Sequence, residues 1–466
     1  MTTQNVLWMD RDSIADFQHE MYKGSQRNPD VGSHFSYNLI QKAHAPKIKV
    51  KMDMTPGGDG EYIYTASKKY DVLLNLEAHI NLCPIKVKDV YSKSVDISYH
   101  HNLGHSILQQ GELKIDDDHI QTIDTIYNDT YSQFYVTKRN SYKRMIGSLP
   151  CLEEWSKELP AIPLIVPQHF YFTRNTRVGL PIWKGNNKIT FEYKMQTKLV
   201  DLLRMRVKNK HGEWKEIRPN LKYLEVKNDM ISVPELWGIY AEMTDEERNW
   251  RKSINPNTKE PEKLIIYTED VDMTCSTNLT PIGSKVKIPL ESTFPAKNIF
   301  WVAQIENGIK SNYTSNRYDV YKGFNPCGSS AIKYGGNDRV PDVSHVHFDL
   351  SEPYYFFPGE PCEDGYNAFT FQLHPNLIQT ADNAVILKKC GASLEVTLGD
   401  TNPFSQPEED KEYQDDNGDF VPVEALEDDD DKMKRDKYTV HVRTVVMKKM
   451  EVFWSDKDNA LKYIFV

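Results

Sequence analysis

A chain of 466 residues with 39% hydrophobic and 27% charged residues has enough apolar side chain for two packed cores and enough charge to remain soluble. A formal net charge of −10 opposes broad contact with phosphate backbones, which is driven by Lys and Arg releasing counterions, so no direct nucleic-acid partner is expected. No run of about 18 apolar residues occurs, and residues 1–10 carry neither a basic nor an apolar leader region, so the chain reads as neither membrane-spanning nor secreted.

In chain order, residues 1–30 read as an N-terminal arm. Alternating apolar and polar residues then predict strands at Lys47–Met54, Leu74–Leu82 and Val95–Tyr99. Ile120, Ile123, Tyr127, Tyr131 and Phe134 recur at helical spacing after the acidic stretch Asp116–Asp118, which predicts a helix packed over the end of a sheet. Lys188–Met195 alternates again. A short second helix is expected from Thr244, because Thr244 and Glu247 have capping-box spacing. The runs Leu264–Tyr267 and Ile299–Ala303 lack alternation, but their β-branched and aromatic residues suggest strands buried on both faces. Ala368–His374, Leu394–Leu398 and Tyr438–Trp454 return to period two. Turn signals at Pro56-Gly57-Gly58, Lys184-Gly185-Asn186-Asn187, Asn307-Gly308 and Gly335-Gly336-Asn337 separate these segments. Many short strands without alternating helices favour an all-β fold of sandwiches or barrels. Within residues 400–436, Pro407–Asp431 is densely acidic. Burying so many carboxylates without partners would cost several kcal/mol each, so it reads as an exposed loop between the last two strands.

The six cysteines (Cys83, Cys151, Cys275, Cys327, Cys362 and Cys390) are widely spaced and form no CxxC, which argues for free thiols over a zinc site or a disulfide scaffold. Cys151 has no neighbour marking it as a nucleophile. Cys327-Gly328-Ser329-Ser330 lacks the lysine and second glycine of a phosphate cradle. Sequons at Asn128, Asn278 and Asn312 carry little meaning without a secretory signal. His345-Val346-His347, Glu352 and Gly359 copy the H-x-H-x4-E-x6-G spacing of a cupin metal site, and on a strand the two histidines would share a face. The spacing from Gly336 does not fit that motif and no second cupin motif follows, so ordinary histidines are the simpler reading and no metal is expected. His100 and His101 would point to opposite faces of a strand and cannot converge on one ion with His105. Tyr354-Tyr355-Phe356-Phe357 suits a subunit interface better than a sugar platform, because Tyr and Trp bury large areas while keeping a polar contact. No catalytic or cofactor residues are assigned.

Three blocks carry a resemblance. Asn102-Leu103-Gly104-His105-Ser106-Ile107-Leu108 is followed by Glu112-Leu113-Lys114-Ile115. Leu159-Pro160 leads to Phe170-Tyr171-Phe172-Thr173-Arg174-Asn175 and Gly179-Leu180-Pro181-Ile182. Pro234-Glu235-Leu236-Trp237, Thr244-Asp245-Glu246-Glu247-Arg248, Lys263–Glu269 and Asn298-Ile299-Phe300-Trp301-Val302 then follow in order. In this order they resemble the double jelly-roll major capsid proteins of nucleocytoplasmic large DNA viruses, from about Asn102 to Trp454. Departures occur at Ser33–Asn38, after His374-Pro375, and in the length of the acidic insert.

The resemblance implies two tandem eight-stranded jelly rolls with short helices in connecting loops, the first over residues 31–210 and the second over 211–466. It implies a non-enzymatic virion shell subunit. Three copies would close into a pseudo-hexagonal capsomer that meets neighbouring capsomers, minor capsid proteins and penton proteins. It also implies assembly in host cytoplasm, with possible indirect contact with an inner viral membrane. The alternatives are a capsid-like scaffold protein, or a cupin-type enzyme using His345, His347 and Glu352.

Overall fold

The structure, a computed structural model, describes residues 43–465 except 59, 175–178, 209–211, 213, 227–230, 256–258, 282, 306–324, 360, 362, 374, 376–383 and 400–436. The expected N-terminal arm, Asn307-Gly308, Asn312, Cys362 and the acidic segment lie outside the described residues.

In the first part of the chain, one five-stranded sheet runs in the order Ala43–Lys51, Glu235–Met243, Val72–Asn81, Pro163–Pro167, with Leu180–Pro181 also on Val72–Asn81. A second runs Asp53–Pro56, Glu61–Thr65, Ile189–Lys194, Gln110–Ile115, Asp118–Asp124. The stretch read from sequence as one strand at residues 47–54 feeds both. It breaks at buried Met52, whose N–H donates to the Leu236 carbonyl at 2.9 Å, and continues in the other sheet. In the later part, a seven-stranded sheet contains Leu264–Cys275, Lys437–Ser455, Pro295–Ile305 and Asn367–Thr370 in that order. A four-stranded sheet runs Lys285–Pro289, Ala392–Leu398, Cys327–Tyr334, Asn337–Ser344. The last two strands form a hairpin whose turn needs positive φ at Gly335 (55°) and Gly336 (88°), a conformation glycine adopts without steric cost.

The seven-stranded sheet explains the unbroken apolar runs. Phe300 and Val302 point into a core shared with Tyr127, Phe134, Met243 and other residues of the first part. Ile299, Trp301 and Ala303 point the other way, into a second core with Leu394, Val396 and Leu398. Val445, Met450 and Val452 face the first core, while Val440, Val442 and Val446 face the second. Successive strand residues face opposite sides, so a strand covered on both faces must be apolar throughout.

Three expectations are corrected. Residues 120–134 are not one helix: Asp118–Asp124 is a strand, and the helix is Thr125–Phe134. Asp116 and Asp117, at φ 51° and 71°, form the two-residue turn of a hairpin, as short polar residues tolerate left-handed backbone. A register shift opposite Leu113 and Lys114 leaves Ile120 as an extra residue, so the bulge sets buried Ile120 and Ile123 three apart and mimics helical spacing. Second, a division at residue 210 would sever Glu235–Met243 from its partners Val72–Asn81 and Ala43–Lys51. Strand pairing instead changes partners after Met243. Third, the strand expected at residues 368–374 ends at Thr370. The second helix, Asp245–Arg251, begins as expected, with the Thr244 hydroxyl accepting from the Glu247 N–H at 3.3 Å. The Glu247 carboxylate is used instead by Arg251 at 2.9 Å.

Phe300 links the two parts through its 5.3 Å stack on Phe134, so Phe300→Ala is expected to destabilise the protein by about 3–5 kcal/mol. A lowered midpoint in chemical denaturation checks this.

Candidate functional site

The block 102–108 builds a buried hub. Asn102 sits in left-handed backbone at φ 49° and donates its side-chain amide to Asp129 Oδ1 at 3.1 Å. A Cβ on Gly104 would lie 2.6 Å from Val166 Cγ2 and 2.9 Å from the Ile146 carbonyl, so only glycine lets this turn approach its neighbours. His105 Nδ1 lies 2.5 Å from Asp129 Oδ1, and its Nε2 lies 2.8 Å from the Tyr142 hydroxyl, which is 2.6 Å from His169 Nε2. With Nδ1–H donating to Asp129, Nε2 accepts from Tyr142, whose oxygen accepts from His169. An Asp–His–hydroxyl relay is also the geometry of an activated nucleophile. Here His105 and Asp129 have no solvent exposure and burial pushes the Tyr142 hydroxyl far above its ordinary range, so the relay braces the fold.

Beside the hub lies the seam between the two parts. Glu363, from the later part, accepts from His101 Nε2 at 2.8 Å, Lys143 Nζ at 2.7 Å and Gln133 Nε2 at 3.2 Å, all from the first. The other nitrogen of His101 lies 2.9 Å from Glu153. Burial alone would discharge this histidine, but the two carboxylates hold its pKa up to about 10. Burial likewise opposes the Glu363 charge, and His101 with Lys143 brings it down to about 2. Nearby, the Gly359 N–H donates to the Phe134 carbonyl at 2.9 Å, and Phe357 packs on both Phe134 and Phe300.

A second ionic contact crosses the seam at Asp124. Its carboxylate caps the helix Thr125–Phe134 by accepting from the Tyr127 N–H at 2.8 Å, and it also takes Arg443 Nε at 3.0 and 3.1 Å and Nη2 at 2.5 Å. Asp270 accepts from the Thr122 N–H at 3.0 Å and from Lys448 at 2.7 Å. At the far end, Asn187 closes a two-bond clamp on Leu461, donating to its carbonyl at 2.8 Å and accepting from its N–H at 2.7 Å. Tyr463 donates to the Pro181 carbonyl at 2.7 Å.

The histidines read as a possible metal motif are not on a strand. Residues 345–356 form a helical segment, where side chains two apart point to nearly opposite sides. His345 Nδ1 is engaged by Asp349 at 2.7 Å, and buried Glu352 accepts from the Thr370 N–H at 3.1 Å, so His345, His347 and Glu352 do not converge. Among the described residues no group of three or more His, Cys, Asp or Glu could hold a metal ion. His100 is buried away from His101, and burial lowers its pKa to about 3. Cys151 is exposed. Cys327 is buried, its thiol pushed up to about 12, and Cys327–Tyr334 is a strand rather than a phosphate loop. Asn128 is buried within its helix and Asn278 is exposed. A cleft of 710 Å³ is lined by Pro84, Ile85, Leu159 and Pro160 together with Lys86 and Glu158, which lie 3.9 Å apart.

Sequence reading missed Asp124, Arg443 and the buried Lys297–Glu269 pair at 2.7 Å. Their signal was a lone charge inside an apolar run, Lys297 before Ile299–Ala303 and Arg443 among valines. A charge there must find a partner across the chain. Glu363, in a loop, carried no such signal.

Residues 46–230 match the family described as major capsid protein N-terminus, and residues 258–412 match the large eukaryotic DNA virus major capsid protein family. The chain is 20% identical over 409 residues to the major capsid protein of Simulium iridescent virus, covering 80% of this chain and 82% of that protein. It is 27% identical over 351 residues to that of Heliothis virescens ascovirus 3e, covering 70% and 73%. A quasi-atomic structure of the PBCV-1 virus capsid superposes with a TM-score of 0.63 at 14% identity, covering 93% of this chain and 99% of that one, which shows a shared double jelly-roll fold.

Two outcomes follow from the seam. Arg443→Met leaves Asp124 without its countercharge and is expected to cost about 3–5 kcal/mol in equilibrium unfolding. Adding Asp124→Asn, which keeps the helix cap, recovers part of the loss. For His101, the folded pKa lies above the ordinary 6.5, so its stabilisation is complete below pH 6.5 and lost as pH rises through about 10. The Glu363 contribution is complete above 4.5 and lost as pH falls toward about 2. The gap in melting temperature between the native chain and His101→Gln should therefore be widest between pH 4.5 and 6.5 and close toward pH 10.

Proposed function

The chain belongs to the family of major capsid proteins of large eukaryotic DNA viruses, and on that footing we propose that three copies close into a pseudo-hexagonal capsomer of an icosahedral shell. The observation that carries this reading is the seven-stranded sheet whose two faces belong to two cores. A shell subunit has to transmit load without bending between its domains. Two sandwich-like parts hinged on a linker would rotate by default, because ordinary interdomain interfaces are small and polar. Here a continuous apolar core, an aromatic stack and buried ion pairs fix the two lobes as one block. Three two-lobed blocks around an axis present six lobes, which is a natural tile for a hexagonal net.

The same reading gives the chain a structural role, with neighbouring capsomers, minor capsid proteins and penton proteins as partners and assembly in host cytoplasm. Contact with an inner viral membrane would be indirect. Among the described residues no helix is long and apolar enough to cross a membrane.

Purified protein is expected to scatter light as a particle of three times the 54.0 kDa chain mass at micromolar concentration, with a hexagonal outline in electron micrographs. A monomer as the sole species would overturn the reading.

A further inference from the structure

We propose, resting on the shell-subunit reading above, that the exposed face of the helical segment 345–356 is a surface on which a second copy of this chain docks. Val346, Leu350 and Tyr354 lie four apart, about one turn each, and are 48%, 51% and 68% exposed, with Tyr355 beside them at 72%. Large apolar residues exposed singly are ordinary. A row of them on one helical face marks an interaction site.

The row is held rigidly from beneath. Phe348 packs edge-on against Trp301 at 4.9 Å, Asp349 takes His345, and Glu352 takes the Thr370 N–H. Phe357, at the end of the segment, is wedged against Phe134 and Phe300. Tyr354 and Tyr355 are themselves fixed edge to face at 5.1 Å. Side chains already ordered lose little freedom on binding, which is the property that makes aromatic residues binding anchors.

Charge selects the occupant. Each copy carries −10, so two copies repel one another over most of their surface. The only carboxylates within 345–357 are Asp349 and Glu352, and both are buried and engaged. Within the segment itself, therefore, no exposed carboxylate is set against the next copy, and charge depletion is what distinguishes interface cores. A sugar is a poorer occupant. Val346 and Leu350 offer no flat ring for a pyranose to stack on, and the two acids that would bind its hydroxyls face inward. In a closed ring of three the contact is head to tail, so the row meets a different patch of the next copy.

The test uses the full chain with Leu350→Asp and Tyr354→Asp together. The concentration at which half the assembly dissociates is expected to rise at least about thirtyfold, with an unchanged circular-dichroism spectrum showing that each copy stays folded. Val90→Asp, which places a charge on an exposed apolar residue elsewhere, should leave it unchanged, as should Tyr354→Phe. Native-like assembly of the double variant overturns the docking surface while leaving the shell-subunit reading intact. An equal loss in Val90→Asp also overturns it. A native chain that never assembles removes the shell-subunit reading and this surface with it. Binding of a neutral oligosaccharide that is lost in Tyr354→Ala, with assembly unchanged, would overturn it in favour of a sugar platform.

Discussion

A β-sheet with two apolar faces has to be covered on both, and the rest of this molecule is arranged around one such sheet. The strands Pro295–Ile305 and Lys437–Ser455 send residues to both sides, and each side meets a different core, while Leu264–Cys275 adds Leu264, Ile266 and Val271 to the first. The four-stranded sheet closes one face, and the first part of the chain, through the helix Thr125–Phe134 and the strand before it, closes the other. At roughly 25 cal/mol per Å² of apolar surface, leaving the second face open would cost more than a domain's net stability. The two parts are thus joined by the same burial that folds each of them.

Polar groups at the seam act on geometry more than on stability. A buried ion pair gains little over apolar packing, but it tolerates only one arrangement, since sliding leaves a charge unpaired. Asp124 makes that arrangement local as well as global, capping its own helix and holding Arg443 from the last long strand. Glu363 does the same for a loop, drawn in by His101, Lys143 and Gln133. These contacts tie the first part of the chain to the later part at defined positions.

The block 102–108 that carries the family resemblance also has a physical account. Asn102 takes left-handed backbone, Gly104 allows contact with Val166 and Ile146, and His105 links Asp129 to Tyr142. All three are buried. Each is there because a turn, a close approach or a buried carboxylate admits few other side chains.

Sequence alone determined the elements whose signal is local. The all-β character followed from period two, the helix after Thr244 from its capping spacing, and the two-faced strands from apolar runs such as Ile299–Ala303. It misread residues 120–134 because a bulge and a helix both place apolar residues three apart, and only the partner strand, pairing Leu113 with Gln121 and Lys114 with His119, tells them apart. It misplaced the division near residue 210 because Glu235–Met243 alternates like any strand, and nothing in its own residues says which sheet it joins. It grouped His345, His347 and Glu352 as a possible site on the assumption of a strand, whereas the backbone turns helical there and separates them. Tertiary structure decided pairing, facing and the seam, because each depends on a partner outside the segment itself, and the seam contacts Asp124–Arg443 and His101–Glu363 join residues hundreds of positions apart.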